Sequence, residues 1–163
     1  MDYAAARWDR AHSGGPILLG GKTYGKGLGV HAFSTITVPL NGIYNRFSAV
    51  IGPDQYHGTV VFKVLLDGTE VFNSGIMRTQ STQFVNITIT GKKTMTLLVE
   101  DGGDGINWDH AIWADAKLFK DVAVYDTNPF RYCAEYYDGV AIVGEMYKTF
   151  SEYGTTVRLL LSI

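Results

Sequence analysis

The densest group of potentially reactive side chains lies in residues 101–116, DGGDGINWDHAIWADA, which hold four aspartates, one histidine and two tryptophans. Two carboxylates held roughly 5–10 Å apart across a cleft can hydrolyse a glycosidic bond. The candidates for such a pair are Asp101, Asp104, Asp109 and Asp115. The first two belong to a glycine-rich loop, however, and a small domain with short loops offers little cleft from which water is excluded. We therefore expect no enzymatic activity.

Acidic, glycine-rich loops can also hold a metal ion. Asp101, Asp104 and the loop carbonyls have the oxygen chemistry that calcium prefers, but their spacing lacks the full EF-hand pattern. A solvated acidic turn explains the same residues equally well. A zinc site built from His31, His110 and Asp109 is a weaker alternative, because no further ligand spacing supports it.

The same stretch has the chemistry of a sugar-binding site. A neutral carbohydrate needs planar polar groups that donate and accept hydrogen bonds in fixed directions, and an aromatic face for the C–H side of its ring. The residues predicted to bind a ligand are His31, Arg78, Asn107, Trp108, Asp109 and His110. By contrast, Trp113 is expected to pack in the core, and Asp115 is expected to pair with a lysine or a backbone amide.

The elements that must position these residues are β-strands. Across residues 35–119, apolar and polar residues alternate with a period of two, as in half-buried antiparallel strands. The segment VNITIT is the clearest case, with Val85, Ile87 and Ile89 facing one way. The segment VVFKVLL, residues 60–66, is apolar on both faces and predicts a central strand. Seven or more short strands with turn signals between them predict an all-β fold, an antiparallel β-sandwich.

The connections between these strands are of two lengths. Tight hairpin signals are NG at 41–42, DG at 67–68 and GKK at 91–93. Longer links are residues 53–58, 74–81 and 101–110. If every connection reverses the chain, the short turns meet at one end of the sandwich. The long loops then meet at the other end, together with GLGVHA, residues 27–32. The rim predicted in this way contains His31, Asp54, Tyr56, Arg78, Trp108, Asp109 and His110.

Composition excludes several other classes of protein. A net charge of −2 provides no clustered basic face for nucleic acid. No apolar run is long enough to span a bilayer, and the single cysteine, Cys133, excludes an intrachain disulfide. The N-terminus lacks the pattern of a signal peptide, as expected of a fragment of a longer protein.

Three blocks within residues 18–119 carry a resemblance to a known family. They are LGGKTYGKGLGVHAFSTITVPLNGIYNRFSAVIGPD, FKVLLDGTEVFNSG and LLVEDGGDGINWDHAIWADAKL. In order and spacing they resemble the NPCBM domains, the family-51 carbohydrate-binding modules. The resemblance implies a non-catalytic β-sandwich of the galactose-binding-domain-like jelly-roll type, attached to further domains of a secreted or cell-surface bacterial protein. It also implies binding of galactose-type sugars, including blood-group glycans, and of calcium.

The resemblance extends to individual motif positions. The residues that occupy them are His31, Asp101, Asp109, His110, Trp113 and Asp115. Ile112 departs from the pattern, since family members often carry an acidic residue there, and no polar role is expected of it. The sandwich is expected to occupy residues 1–120.

Residues 121–163 are predicted to form a short extension that is irregular or partly helical. Residues 140–154 fit a short amphipathic helix, and residues 155–163 fit a final strand or an apolar tail. NPFRYCAEYYD, residues 128–138, resembles the start of the Rhs-repeat-associated core of large bacterial surface and toxin proteins. The continuation of that core does not follow, as in a truncated gene. This tail motivates the rival hypothesis of a structural or protein–protein interaction module.

Overall fold

The computed structural model describes residues 6–54, 58–123, 146–152 and 155–161. The chain divides into two compact units, Met1–Leu118 and Phe119–Ile163. The strands that begin within the first unit are β1 (Arg7–Trp8), β2 (Ile17–Leu19), β3 (Lys22–Tyr24), β4 (Gly27–His31), β5 (Ser34–Pro39), β6 (Arg46–Pro53), β7 (Val60–Leu66), β8 (Thr69–Met77), β9 (Gln83–Thr88), β10 (Thr94–Asp101) and β11 (His110–Phe119).

Two sheets form the predicted β-sandwich. One has five strands in the order β1-β4-β11-β6-β9, and the other has four in the order β5-β10-β7-β8. The pairs β1–β4, β4–β11 and β6–β9 of the first sheet, and all three pairs of the second, run antiparallel. The short strands β2 and β3 form a separate antiparallel hairpin. The prediction of an all-β sandwich is confirmed.

The core lies between the inner faces of the two sheets, as the period of two predicts. Along β9 and just beyond it, Val85 and Ile89 are buried, and β7 is a central strand flanked by β10 and β8. Trp113 is fully buried, with its ring centroid 5.0 Å from that of Phe62 in an edge-on arrangement. Its predicted structural role is therefore confirmed.

The short turns meet at one end of the sandwich, as expected, but only one of them is a hairpin. Asp67 and Gly68, with φ of 50° and 82°, join β7 to the neighbouring β8. The turns at 41–42 and 91–93 instead carry the chain from one sheet to the other, and the hairpin prediction is wrong there. The Gly42 N–H donates to the Lys92 carbonyl at 2.9 Å, so these two crossings lie side by side. Turn residues fix the local backbone, but they do not fix which strand the chain joins next.

The outer face of the five-stranded sheet is covered in part by the segment before β4, which we call the lead-in (residues 6–24). A second buried cluster joins this segment to the sheet; its members are Ala11, Ile17, Leu19, Ile112 and Ala114. Gly29 makes the close approach feasible, because a Cβ atom there would overlap the backbone of residues 10–12. A glycine inside a strand commonly marks such an approach of another backbone.

The second unit contains three strands among its described residues. They are β12 (Asp121–Ala123), β13 (Met146–Glu152) and β14 (Thr155–Leu161), in the order β12-β14-β13. The helix expected over residues 140–154 is wrong for β13, which pairs with β14 and whose sequence, MYKTFSE, contains a tyrosine and a phenylalanine, residues that favour strands. The final strand is confirmed. Cys133 and the Rhs-like residues 128–138 lie outside the described residues. Over the described part of the chain, no helix has the length and apolarity needed to cross a membrane.

Candidate functional site

The long loops converge at the end of the sandwich opposite the short turns. Three backbone hydrogen bonds join them: Ala32 N–H donates to Asp109 O at 3.0 Å, Asp54 N–H to His110 O at 2.8 Å, and Gly102 N–H to Thr59 O at 2.8 Å. The gathering of these loops, predicted from strand parity, is confirmed for residues 31, 54 and 101–110. Tyr56, also predicted at this rim, lies outside the described residues.

Three histidine rings are in mutual contact at this rim. His31 and His110 are paired in register between β4 and β11, and their ring centroids lie 5.2 Å apart. His12, from the lead-in, packs its ring 5.2 Å from His31 and 4.9 Å from His110. His12 did not emerge from the sequence. The signal that could have found it is Gly29 in the strand GLGVH, which permits the lead-in to lie against β4.

Burial keeps two of these imidazoles neutral. It lowers the pKa of His110 to about 4, and His12 and His31 nearby act in the same direction. Burial also lowers the pKa of His12, assisted by His31 and Arg7 and opposed by Asp54. A neutral imidazole carries one hydrogen-bond donor and one acceptor, which matches a hydroxyl group that both donates and accepts. The Nδ1–H of His31 is already committed, since it donates to the Ala32 carbonyl at 2.6 Å.

Asp109 lies beneath this surface. Its side chain is fully buried, and neither carboxylate oxygen has a hydrogen-bond partner of normal geometry among the described residues. Burial, together with the charges of Asp101 and Asp104, raises the pKa of Asp109 to about 6, and His31 and the Thr59 amide offset this only in part. The Asp109 side chain is therefore covered by its neighbours in this structure, and its predicted direct contact with a ligand stays a prediction.

The acidic loop is organised by Asp101. Its Oδ1 atom accepts hydrogen bonds from the N–H groups of Gly103, Asp104 and Gly105 at 2.7, 3.1 and 3.1 Å. Asp104 in turn accepts a hydrogen bond from the Thr59 hydroxyl. Among the residues that the structure describes, no three histidine, cysteine or acidic side chains are placed to hold a metal ion. Calcium binding therefore stays a prediction, and the described residues do not form the zinc site considered above.

The exposed part of the site comes from residues 106–108. The Trp108 indole is 60% exposed on a backbone with φ of 68°, and Asn107 beside it is exposed. Arg78 is also exposed and lies in the tight turn after β8, where its N–H and carbonyl bond to Ser81. Outside the site, Asp115 pairs with Lys117 at 3.0 Å, as expected.

The motif blocks, the sandwich and the rim agree with one family. Residues 2–119 match the model of the NPCBM/NEW2 domain. The chain belongs to the NPCBM family. This match begins sixteen residues ahead of residue 18, where the resemblance of motifs starts, and so includes the lead-in that supplies His12. The NPCBM domain is a non-catalytic carbohydrate-binding module.

Two solved structures illustrate the relationship. The CBM51 module of Clostridium perfringens GH95, in complex with methyl-galactose, is 37% identical, with a TM-score of 0.67 over 72% of this chain and 90% of that one. The CBM51-2 and INT domains of Clostridium perfringens ZmpB, in complex with GlcNAc, are 33% identical, with a TM-score of 0.69 over 81% of this chain and 31% of that one.

Curated relatives are much longer proteins. A putative endo-alpha-N-acetylgalactosaminidase of Renibacterium salmoninarum is 38% identical to this chain. The match covers 64% of this chain and 7% of that protein. Alpha-1,3-galactosidase B of Akkermansia muciniphila is 32% identical, and the match covers 71% of this chain and 15% of that protein. The part shared with these proteins is thus a small fraction of each of them.

Proposed function

We propose that this NPCBM module binds galactose-type sugars, including blood-group-like glycans, at the long-loop rim and serves as a targeting module of a larger secreted or cell-surface bacterial protein. The observation that carries the proposal is the contact of three imidazoles, two of them held neutral by burial, beside the exposed Trp108. Neutral donors and acceptors next to an aromatic face suit an uncharged sugar better than an ionic ligand.

The comparisons support the choice of sugar. The GH95 module, solved with methyl-galactose, is matched over nearly its whole length. Both curated relatives are named as enzymes that act on galactose-type sugars, and this chain matches only a small part of each. A binding module in such a protein would hold the parent enzyme at its substrate.

Affinity for a single sugar is expected to be weak. A methyl galactoside has about thirteen heavy atoms, and about −0.3 kcal/mol per atom corresponds to a Kd on the order of 1 mM. Tighter binding by the parent protein would then come from further modules engaging the same glycan surface.

Isothermal titration calorimetry with methyl galactoside tests the proposal, with methyl glucoside as the comparison ligand. Trp108→Ala and His110→Ala should each abolish measurable binding. Trp8→Ala is the matched control, because Trp8 is the other highly exposed tryptophan among the described residues and is 76% exposed on β1. Titrations with added calcium and with a chelator test the calcium prediction separately. Absence of galactoside binding in both conditions would refute the proposed ligand class.

A further inference from the structure

Phe33 is an exposed aromatic residue next to the rim, and it is not among the motif positions singled out above. Its side chain is 66% exposed, and it follows Ala32, whose N–H donates a hydrogen bond to the Asp109 carbonyl. Trp108 precedes Asp109 on the other side of that hydrogen bond. Two large exposed aromatic residues therefore lie one step beyond the same backbone contact.

Both residues lie next to the histidine cluster along the chain. His31 and His110 are paired in register; Phe33 follows His31 by two residues, and Trp108 precedes His110 by two. An exposed aromatic residue is therefore found on each of the two chain segments that leave this histidine pair.

The chemistry of Phe33 restricts what it can recognise. One aromatic face is enough for the C–H side of a sugar ring, and Trp108 supplies it. Phe33 has no polar atom, so it offers a second apolar surface that favours a methyl group over a hydroxyl group. Among hexoses, a methyl group is carried by the acetamido substituent of an N-acetylhexosamine or by C6 of a 6-deoxyhexose.

We propose that Phe33 is a specificity-determining residue of the rim, which contacts the methyl group of a methyl-bearing sugar. The inference rests on the proposed function, since it concerns the same site. Removing one methyl group from water is expected to increase affinity about fourfold.

Calorimetry with the methyl glycosides of D-galactose, N-acetyl-D-galactosamine and D-fucose (6-deoxy-D-galactose) provides the test, because the last two differ from D-galactose at one substituent each. The wild type should bind N-acetylgalactosamine or fucose about fourfold more tightly than galactose. Phe33→Ser should bring this ratio to about one with little change in affinity for galactose, whereas Phe33→Leu should retain the preference. Phe84→Ser is the matched control, because Phe84 is 64% exposed on the edge strand β9 and should leave the ratio unchanged.

The outcomes separate this inference from the proposed function. Preference for N-acetylgalactosamine identifies the acetamido methyl as the contact, and preference for fucose identifies the C6 methyl. An unchanged ratio in Phe33→Ser, equal weakening for all three sugars, or no preference in the wild type overturns the role of Phe33. Failure of the wild type to bind any of the three refutes the proposed function itself.

Discussion

Gly58 lies so close to Asp109 that a Cβ atom at residue 58 would overlap the Asp109 Oδ1 atom and the carbonyl group of Trp108. The loop that enters β7 and the loop that carries the ligand-binding candidates are therefore packed against each other without a side chain between them. We expect the position of Trp108 at the rim to depend on this contact.

Gly58→Ala is expected to displace the loop of residues 101–110. The added methyl group should lower the free energy of unfolding by about 1–3 kcal/mol, as overpacking does, and should weaken galactoside binding at least about tenfold. Calorimetry and denaturant unfolding measure the two effects. Gly25→Ala is the control, because no atom lies within 4 Å of its Cβ position. Wild-type binding by Gly58→Ala would show that the contact does not position Trp108.

Asp101 and Asp67, at opposite ends of the sandwich, each accept more than one backbone hydrogen bond through one carboxylate oxygen. The Oδ1 atom of Asp67 accepts from the N–H groups of Lys93 and Thr94, as that of Asp101 does within its own loop. Asp101→Asn should lower the free energy of unfolding by roughly 1–3 kcal/mol and abolish sugar binding. Asp67→Asn should reduce stability but leave sugar affinity within about twofold of wild type. If both variants bound sugar equally well, the acidic loop would have no part in the site.

The two tryptophans of residues 101–116 should separate stability from binding. Trp113→Leu is expected to lower the free energy of unfolding by several kcal/mol, because a large buried ring is lost. The loss should be somewhat smaller than the roughly 3–5 kcal/mol that is typical of truncation to alanine. Trp108→Ala should change the free energy of unfolding by less than about 0.5 kcal/mol, as at most surface positions, while removing galactoside binding. Thermal unfolding and calorimetry on the same preparations compare the two variants. A large loss of stability in Trp108→Ala would contradict the assignment of Trp108 to the exposed binding surface.

The buried groups at the rim predict opposing pH dependences. His110, whose pKa falls from 6.5 to about 4, binds fewer protons in the native state, so its contribution to stability is lost as the pH falls through this range. Asp109, whose pKa rises from 3.8 to about 6, keeps a proton in the native state that the unfolded chain releases. Its contribution to the free energy of unfolding therefore declines as the pH rises between these two pKa values.

Asp109→Asn should therefore gain stability relative to the wild type as the pH increases from about 4 to 6, with the difference constant above about pH 7. Denaturant unfolding across about pH 4 to 8 measures the free energy of unfolding of both proteins. A difference that is independent of pH would show that Asp109 titrates as an ordinary exposed carboxyl group.

Alternation and turn chemistry predicted most of the sandwich, because side chains at intervals of two must share one face of a strand. Strand parity also brought His31 and residues 101–110 together without coordinates. The turns at 41–42 and 91–93 were misassigned to hairpins, since residues that favour positive φ serve equally well for crossing between sheets.

The burial of Asp109 and the presence of His12 could not be predicted in the same way. Each depends on a backbone approach, at Gly58 and at Gly29, that only the folded chain defines. A glycine shows that an approach is allowed, but it does not show which segment makes it. Family motifs identified Asp109 and His110 as important, yet they could not say that one lies below the surface and the other in the histidine cluster.

The packing of Ala11, Ile17 and Leu19 on the outer sheet face sets the smallest piece of chain that can be transplanted between host proteins. A graft that starts at residue 18, where the motif blocks begin, would uncover Ile112 and leave behind one of the three imidazoles. A graft that starts at residue 6 would include the lead-in that covers the outer face of this sheet. Fusions built for glycan detection should therefore be designed from the earlier boundary.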